Sequence, residues 1–436
     1  MESKQFESLY PENVREKEIA KMLEILSSGR ACQLAGLPGV GKSTLLKIIT
    51  YNKAVRLKHL GDKQETTHFV YMDFSEMRKR ALFEVIKFML ISLSYSLGER
   101  GFRAEQEEIN TILKDAATFQ DELILFQALK RSIDFLTGEK GKTIIFLFDR
   151  FEEYIPDIDA RFFADLKILR NRAKYQFSAV FTTNRPLEEV LEPELFSDFY
   201  EFLVGNVVYL PIEDAVGVHF RLSHLETITS KKTTDARKKE LLALTGGHGK
   251  LTRIAHESIL SEPTINNLKD FLLSKKEVKG ALYEIWHAIT PEEQQLILQN
   301  KPNTYIESVG LVINGKISIP LLEEFLKALP AKTVSSKLRF DSDKNDIFKG
   351  EESLTEKLSP SEFKLLKFLI ENAERVCEKD EIINAVWKDE KNQLGVTDQA
   401  LDQIIYRLRK KIEEDPNNPA LIQTIKGRGY KLANSN

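Results

Sequence analysis

The sequence predicts an α/β core built on a parallel sheet, a helical lid after it, and then two winged-helix units. Three kinds of observation lead there. A glycine-rich loop, Gly36-Leu37-Pro38-Gly39-Val40-Gly41-Lys42-Ser43, lies between an apolar run and a helical run. Further apolar runs recur with helical stretches between them. Late in the chain, two stretches repeat one order of signals: a capped helix, a second helix and a hairpin.

The chain has 436 residues, 42% of them hydrophobic and 30% charged, a length that suits about three domains. The formal net charge is only −3, so any nucleic-acid site must be a local patch. Two cysteines, Cys32 in an expected strand and Cys377 in an expected helical region, suggest neither a metal site nor a disulfide framework. A reducing cytoplasm fits. The first thirty residues alternate charged and apolar character, and no apolar run reaches the ~18 residues of a spanning helix. Neither secretion nor membrane insertion is expected.

The glycine loop fits G-x-x-x-x-G-K-[ST] without a gap, the pattern of an α/β P-loop NTPase core. It follows Ala31-Cys32-Gln33-Leu34-Ala35 and opens Thr44-Leu45-Leu46-Lys47-Ile48-Ile49. Glycines let backbone N–H groups turn inward around phosphate oxygens, and the helix adds its positive end. Gly36, Pro38, Gly39, Val40, Gly41, Lys42, Ser43 and Thr44 are therefore the candidate nucleotide cradle, for ATP or ADP. Lys42 should reach the β- and γ-phosphates, and Ser43 should hold Mg²⁺.

Before the loop, residues 11–28 carry apolar positions at helical spacing; this helix either covers the sheet or packs near the adenine. His68–Asp73 is a second strand, and a helical insert over roughly 79–137 follows. Thr143-Ile144-Ile145-Phe146-Leu147-Phe148-Asp149 is a buried strand that delivers a carboxylate at its C-terminal end. Asp149 is a Walker B candidate for binding Mg²⁺ through water. Glu152 or Glu153 would polarise the attacking water, and Glu153 is preferred. Ser178–Arg185 is another strand, stopped by Pro186; there Asn184 would sense the γ-phosphate by hydrogen bond and Arg185 by charge, or the pair would simply make a turn. Val207–Leu210 is the fifth strand. Residues 212–260 read as helices, with Gly246-Gly247-His248 between two of them. That glycine pair either brings His248 or Lys250 near phosphate or makes a tight interhelical turn.

Thr290-Pro291-Glu292-Glu293 and Ser359-Pro360-Ser361-Glu362 are capping boxes with proline at the first helical position. Each is followed by a second helix and a hairpin signal, Asn314-Gly315 in the first case and Lys426-Gly427-Arg428-Gly429 in the second. The expected organisation is a core over 1–210, a helical lid over 211–262, a winged helix over 263–330, a polar linker over 331–346 and a second winged helix over 347–436. In the last unit Leu401, Ile404, Ile405, Leu408 and Ile412 share one face of a helix over 397–412. Gln399, Gln403, Tyr406 and Lys410 point the other way, with Arg407 beside them and Arg409 to the side. Gln can pair with adenine, while Lys and Arg meet phosphate or guanine. Thr424, Lys426 and Arg428 place further contacts on the hairpin, where a wing could enter a minor groove.

Residues from about 354 to 432 closely resemble the DNA-binding domain of OmpR/PhoB-type response regulators, through Leu358–Phe363, Val386-Trp387, Leu408–Ile412 and Thr424–Tyr430. The resemblance implies binding to double-stranded DNA, with the 397–412 helix in the major groove. It does not imply phospho-aspartate control, since a receiver domain is not seen. Residues from about 11 to 330 resemble the STAND branch of P-loop ATPases, through the loop, Asp149–Glu153, Thr183-Asn184-Arg185 and Gly246-Gly247-His248. That implies strand order 5-1-4-3-2, His248 at the nucleotide, slow ATP hydrolysis, and a switch that assembles homo-oligomers. Gly249 stands where proline is common in that branch.

The function expected is a nucleotide-switched transcription regulator, with Lys42, Asp149, Glu152 and Glu153 carrying the chemistry and Arg170 or Arg172 as an interprotomer arginine finger. A replication-type or remodelling DNA-dependent ATPase is one alternative, and a signalling or defence scaffold is another.

Overall fold

The computed structural model describes residues 5–262, 264–328, 338–342, 345–349, 352–387, 398–413, 419–425 and 428–433. Five strands, β1 (Cys32–Ala35), β2 (Thr67–Asp73), β3 (Thr143–Asp149), β4 (Phe177–Thr183) and β5 (Val207–Tyr209), form one parallel sheet in the order β2-β3-β4-β1-β5. This is the expected 5-1-4-3-2 order read from the other edge. β3 lies inside it, between β2 and β4, and is apolar at successive positions because helices cover both faces. Its Ile145 and Leu147 join a core with Leu34, Leu46 and Val180; its Ile144, Phe146 and Phe148 join another with Phe162, Phe163 and Phe181.

The expected insert is three helices, Leu82–Glu99, Arg103–Ala117 and Glu122–Asp134, whose Val85, Met89, Ile109 and Leu129 pack into the second core. The helix before the loop runs Glu16–Ser27 and packs into the first. After β5 come helices Ala215–Thr229, Asp235–Thr245 and Gly249–Leu260, N-capped by Asp214, Thr234 and His248. Helices Leu268–Ser274, Lys276–His287, Pro291–Leu298 and Thr304–Ser308 follow, then the hairpin β6 (Val312–Ile313) and β7 (Lys316–Ile317), then helix Pro320–Ala328. The hairpin turns through Asn314 and Gly315 at φ of 51° and 74°, the left-handed pair that a type I′ turn requires. The Thr290 box closes with Glu293 N–H to Thr290 Oγ1 at 3.3 Å and Thr290 N–H to Glu293 Oε2 at 2.9 Å.

The described residues up to Ala328 form one compact unit and those from Leu338 onward another. In the second, β8 (Leu338–Asp341), β9 (Asp346–Lys349) and β10 (Glu352–Ser353) make an antiparallel sheet. This corrects the expected linker over 331–346. Residues 331–337, 343 and 344 lie outside the described residues, but Leu338–Asp341 and Asp346 are strand residues of a folded sheet. The polar composition hid a short alternating strand, with Leu338 and Ile347 buried while Arg339 faces out. Helices Pro360–Glu371, Lys379–Val386 and Asp398–Ile412 follow, with a sheet of β11 (Val376–Glu378), β12 (Ile422–Ile425) and β13 (Gly429–Leu432) in the order β11-β13-β12. Cys377, expected in a helix, lies buried in β11. The Ser359 box closes at 3.4 and 2.7 Å. Among the described residues no helix is long and apolar enough to cross a membrane.

Candidate functional site

The loop after β1 bends through Gly39 and Gly41 at φ of 79° and 107° and passes into helix Lys42–Tyr51. A Cβ on Gly39 would lie 2.6 Å from Lys250 Cβ, so only glycine fits there. The Lys42 ammonium is buried and donates to the Gly36 carbonyl, to the Leu37 carbonyl at 3.3 Å and to Asn184 Oδ1 at 3.0 Å. These acceptors are neutral. Burial lowers the Lys42 pKa to about 8, against the opposing pull of Glu152 and Asp149. A buried cation held by neutral oxygens at a helix N-terminus suits a polyphosphate.

Asp149 ends β3, fully buried. Its Oδ1 accepts the Thr182 hydroxyl at 2.8 Å and the Arg150 N–H at 3.0 Å, and its Oδ2 accepts the Tyr71 hydroxyl at 2.7 Å. These donors fix the carboxylate as outer-shell groups fix a metal ligand. Ser43 is half-buried in the first turn of the loop helix. A hydroxyl there and an oriented carboxylate fit a hard divalent cation shared with phosphate.

Of the two candidate acids the geometry favours Glu152 over the preferred Glu153. Glu153 is ion-paired to Arg78 on the loop after β2. Glu152 instead has a buried Oε2 with no hydrogen-bond partner, and burial raises its pKa against the pull of Lys42. Adjacent acids cannot be told apart by sequence, because which one turns inward depends on the 3₁₀ turn Phe151–Glu153.

Asn184, expected at the γ-phosphate, accepts from the loop lysine. Arg185 instead pairs with Glu189 at 3.2 Å and with Glu293. His248 is buried against the loop backbone. Its Nδ1 accepts the Leu251 N–H at 3.2 Å, so its Nε2 donates to the Pro38 carbonyl at 2.9 Å. Both nitrogens are thus committed to backbone, which favours the turn over a phosphate contact for His248. Of the two readings of the glycine turn, the structure adopts the interhelical one, since a Cβ on Gly246 would meet the Ser318 carbonyl at 2.2 Å. Lys250 N–H donates to the Gly39 carbonyl at 2.9 Å, so the lid helix grips the loop. Arg170 donates to the Gly29 carbonyl at 3.3 Å, and Arg172 pairs with Asp134.

Beside the loop opens a cleft lined by Tyr10, Arg15, Thr44, Gly217, Val218 and Arg221. Arg15 binds the Val40 carbonyl at 3.1 Å and lies 3.4 Å from Asp214. Tyr71, Tyr10, Arg15 and Arg221 escaped the sequence reading; each is a lone polar residue without a motif around it.

In the second unit, helix Asp398–Ile412 buries Leu401, Ile405, Leu408 and Ile412 and exposes Gln403, Tyr406, Arg407 and Lys410. The Lys410 ammonium lies 4.6 Å from the Tyr406 ring centre. Arg409 departs from expectation: it donates to the Ile422 carbonyl at 2.7 and 3.0 Å and to Thr424 Oγ1 at 2.8 Å, tying the helix to β12. Thr424 is thereby engaged as well. Arg428 is exposed. Lys426 and the Gln399 side chain lie outside the described residues.

A parallel sheet in this order, with this loop and strand-end aspartate, is a P-loop ATPase fold. Residues 353–432 match the family described as "Transcriptional regulatory protein, C terminal", and this segment is its winged-helix DNA-binding domain. Sensory transduction protein RegX3 of Mycolicibacterium smegmatis is 39% identical over 95 residues, 22% of this chain and 40% of RegX3. The chain thus spans about two-fifths of that relative's length. Among solved structures, the Klebsiella pneumoniae RstA DNA-binding domain in complex with RstA box is 27% identical, covers 23% of this chain and 93% of that one, and has a TM-score of 0.19. The Walker-type ATPase PABY2304 of Pyrococcus abyssi is 17% identical over 74% of this chain and 100% of that one, with a TM-score of 0.42.

Proposed function

We propose that this chain is a nucleotide-switched, DNA-binding transcription regulator of the STAND type. The unit ending at Ala328 would bind ATP or ADP with Mg²⁺, and the bound nucleotide would set how the C-terminal winged helix engages double-stranded DNA. The observation that carries the reading is the buried Lys42, held only by neutral oxygens, in one chain with a transcription-regulator DNA-binding domain.

On this reading Lys42 exchanges those oxygens for the terminal phosphates, and Ser43 and Asp149 hold the magnesium. The metal supplies neutralising charge at the β- and γ-phosphates. Asn184 is released when Lys42 turns away. Its backbone carbonyl accepts the Tyr305 hydroxyl at 2.7 Å, so a shift at the end of β4 is felt by helix Thr304–Ser308. Glu152 orients the water of a slow hydrolysis that resets the switch, and ATP-bound chains assemble as homo-oligomers.

The test is footprinting on genomic fragments selected by the protein, with ATP, with ADP and with Lys42→Ala. The reading expects protection to differ between ATP and ADP, and the variant to respond to neither. Equal protection in all three would overturn the coupling.

A further inference from the structure

Arg221 lies on the first lid helix, Ala215–Thr229, whose N-terminus is fixed by Asp214 Oδ1 accepting the Gly217 N–H at 2.9 Å. The helix carries Arg221 to the cleft beside the loop. There Nη2 donates to Thr44 Oγ1 at 2.6 Å and Nε donates to the Tyr10 hydroxyl. The guanidinium is half-buried. Its charge is not matched by the protein: among the described residues no carboxylate lies within the 4.0 Å of an ion pair. The contrast with its neighbour is direct: Arg15, which lines the same cleft, has Asp214.

A partly desolvated guanidinium without a counter-charge gains most from an anion, and its planar fork of five N–H donors suits phosphate oxygens. Two of those donors are used by hydroxyls, which leaves three. The position says which phosphate. Lys42 and Asn184 mark the loop's terminal-phosphate end, while Arg221 is bound to Thr44, two residues further along the loop helix, and to Tyr10, which lines the cleft with Leu45, Ile48 and Val218.

We infer that Arg221 binds the sugar-proximal phosphate of the nucleotide, so that the first lid helix reads the ligand directly. The inference rests on the proposed nucleotide binding. It gives the Arg221 contacts to Thr44 and Tyr10 a second meaning: they hold the guanidinium at its station before the anion arrives.

The experiment measures adenosine, AMP and ADP binding to the full chain by competition with a fluorescent ADP, for wild type, Arg221→Gln and Arg221→Lys. The expected result is that Arg221→Gln weakens AMP and ADP by about tenfold, the range of a charge-assisted contact, and leaves adenosine unchanged. Arg221→Lys should recover part of the loss and serves as the control if the glutamine variant misfolds. Unchanged or tighter AMP and ADP binding would overturn the assignment and leave Arg221 as a shutter over the cleft. An equal loss for all three ligands would overturn it as well, since packing and not charge would then be at work. If wild type binds no nucleotide, the proposed function itself fails; if wild type binds and the variants bind alike, only the role of Arg221 falls.

Discussion

Arg185, two residues past the end of β4, forks onto Glu293, the third residue of helix Pro291–Leu298, with one branch at 3.2 Å. Their side chains are 14% and 8% exposed. Glu293 also closes the capping box on Thr290, and the Arg185 guanidinium lies 4.3 Å from the Tyr305 ring centre. The strand end that holds Lys42 through Asn184 is therefore bound to two later helices. Removing one partner of a buried pair strands the other charge, at a cost of about 3–5 kcal/mol. Glu293→Ala leaves Arg185 with Glu189 at 3.2 Å and removes the cap, so it should lower the unfolding free energy by about 2 kcal/mol or more. Arg185→Met with Glu293→Met should cost less than the sum of the single changes. Urea unfolding of the four proteins in the cycle measures this, and strict additivity would mean that the pair does not couple.

The neighbouring acids after β3 make a sharper test. Glu152 has a buried, unpartnered oxygen and feels the Lys42 charge, whereas Glu153 serves Arg78. If the chain turns over ATP, Glu152→Gln should slow it by about a hundredfold, the scale of a positioned general base. Glu153→Gln should stay within about threefold, and both should retain ADP. Single-turnover phosphate release reads this, and the reverse pattern would reinstate Glu153.

What the sequence made legible follows from how local each signal is. The loop and both capping boxes rest on residues adjacent in the chain, and the structure reproduces them; the strand order, which the structure also reproduces, is implied only by the resemblance to the STAND branch. A buried strand ending in an acid is a contiguous pattern too, and β3 does end at a buried Asp149. Two of the departures are long-range. Arg185 meets Glu293 across 108 positions, and His248 meets the Pro38 carbonyl across 210. Nothing near either residue announces its partner. The strand Leu338–Asp341 was lost for a different reason: four residues of alternation cannot outweigh a polar neighbourhood.

His248 supplies a pH test. Burial lowers its pKa to about 4 from the ordinary 6.5, and both ring nitrogens are bound to backbone in the neutral form. Between those two values the unfolded chain takes up a proton that the folded chain does not. The stability attached to this residue is therefore fully present above about pH 6.5 and is lost as the pH falls toward 4. The shift is worth on the order of 3 kcal/mol. His248→Asn keeps an N-cap acceptor for the Leu251 N–H but does not titrate. Guanidinium unfolding at several pH values should show wild type losing more stability than the variant across this window. Parallel curves would show that His248 is already charged or solvated in the fold.

The exposed face of helix Asp398–Ile412 separates contact from scaffold. Arg407 and Lys410 are exposed, while Arg409 is spent on the Ile422 carbonyl and Thr424. Each cation that neutralises a phosphate contributes about −0.9 to the slope of log affinity against log salt. Arg407→Ala with Lys410→Ala should therefore flatten the slope by nearly two, and should weaken binding alike on matched and mismatched duplexes if both residues meet phosphate. Arg409→Ala should leave the slope in place. It should instead cost about 1–3 kcal/mol of stability, because the buried Ile422 carbonyl loses its charged donor. Fluorescence anisotropy across a salt series, read beside thermal unfolding, distinguishes the two. A flattened slope for Arg409→Ala with unchanged melting would return that arginine to the DNA face and would mean that its tie to β12 is released on binding.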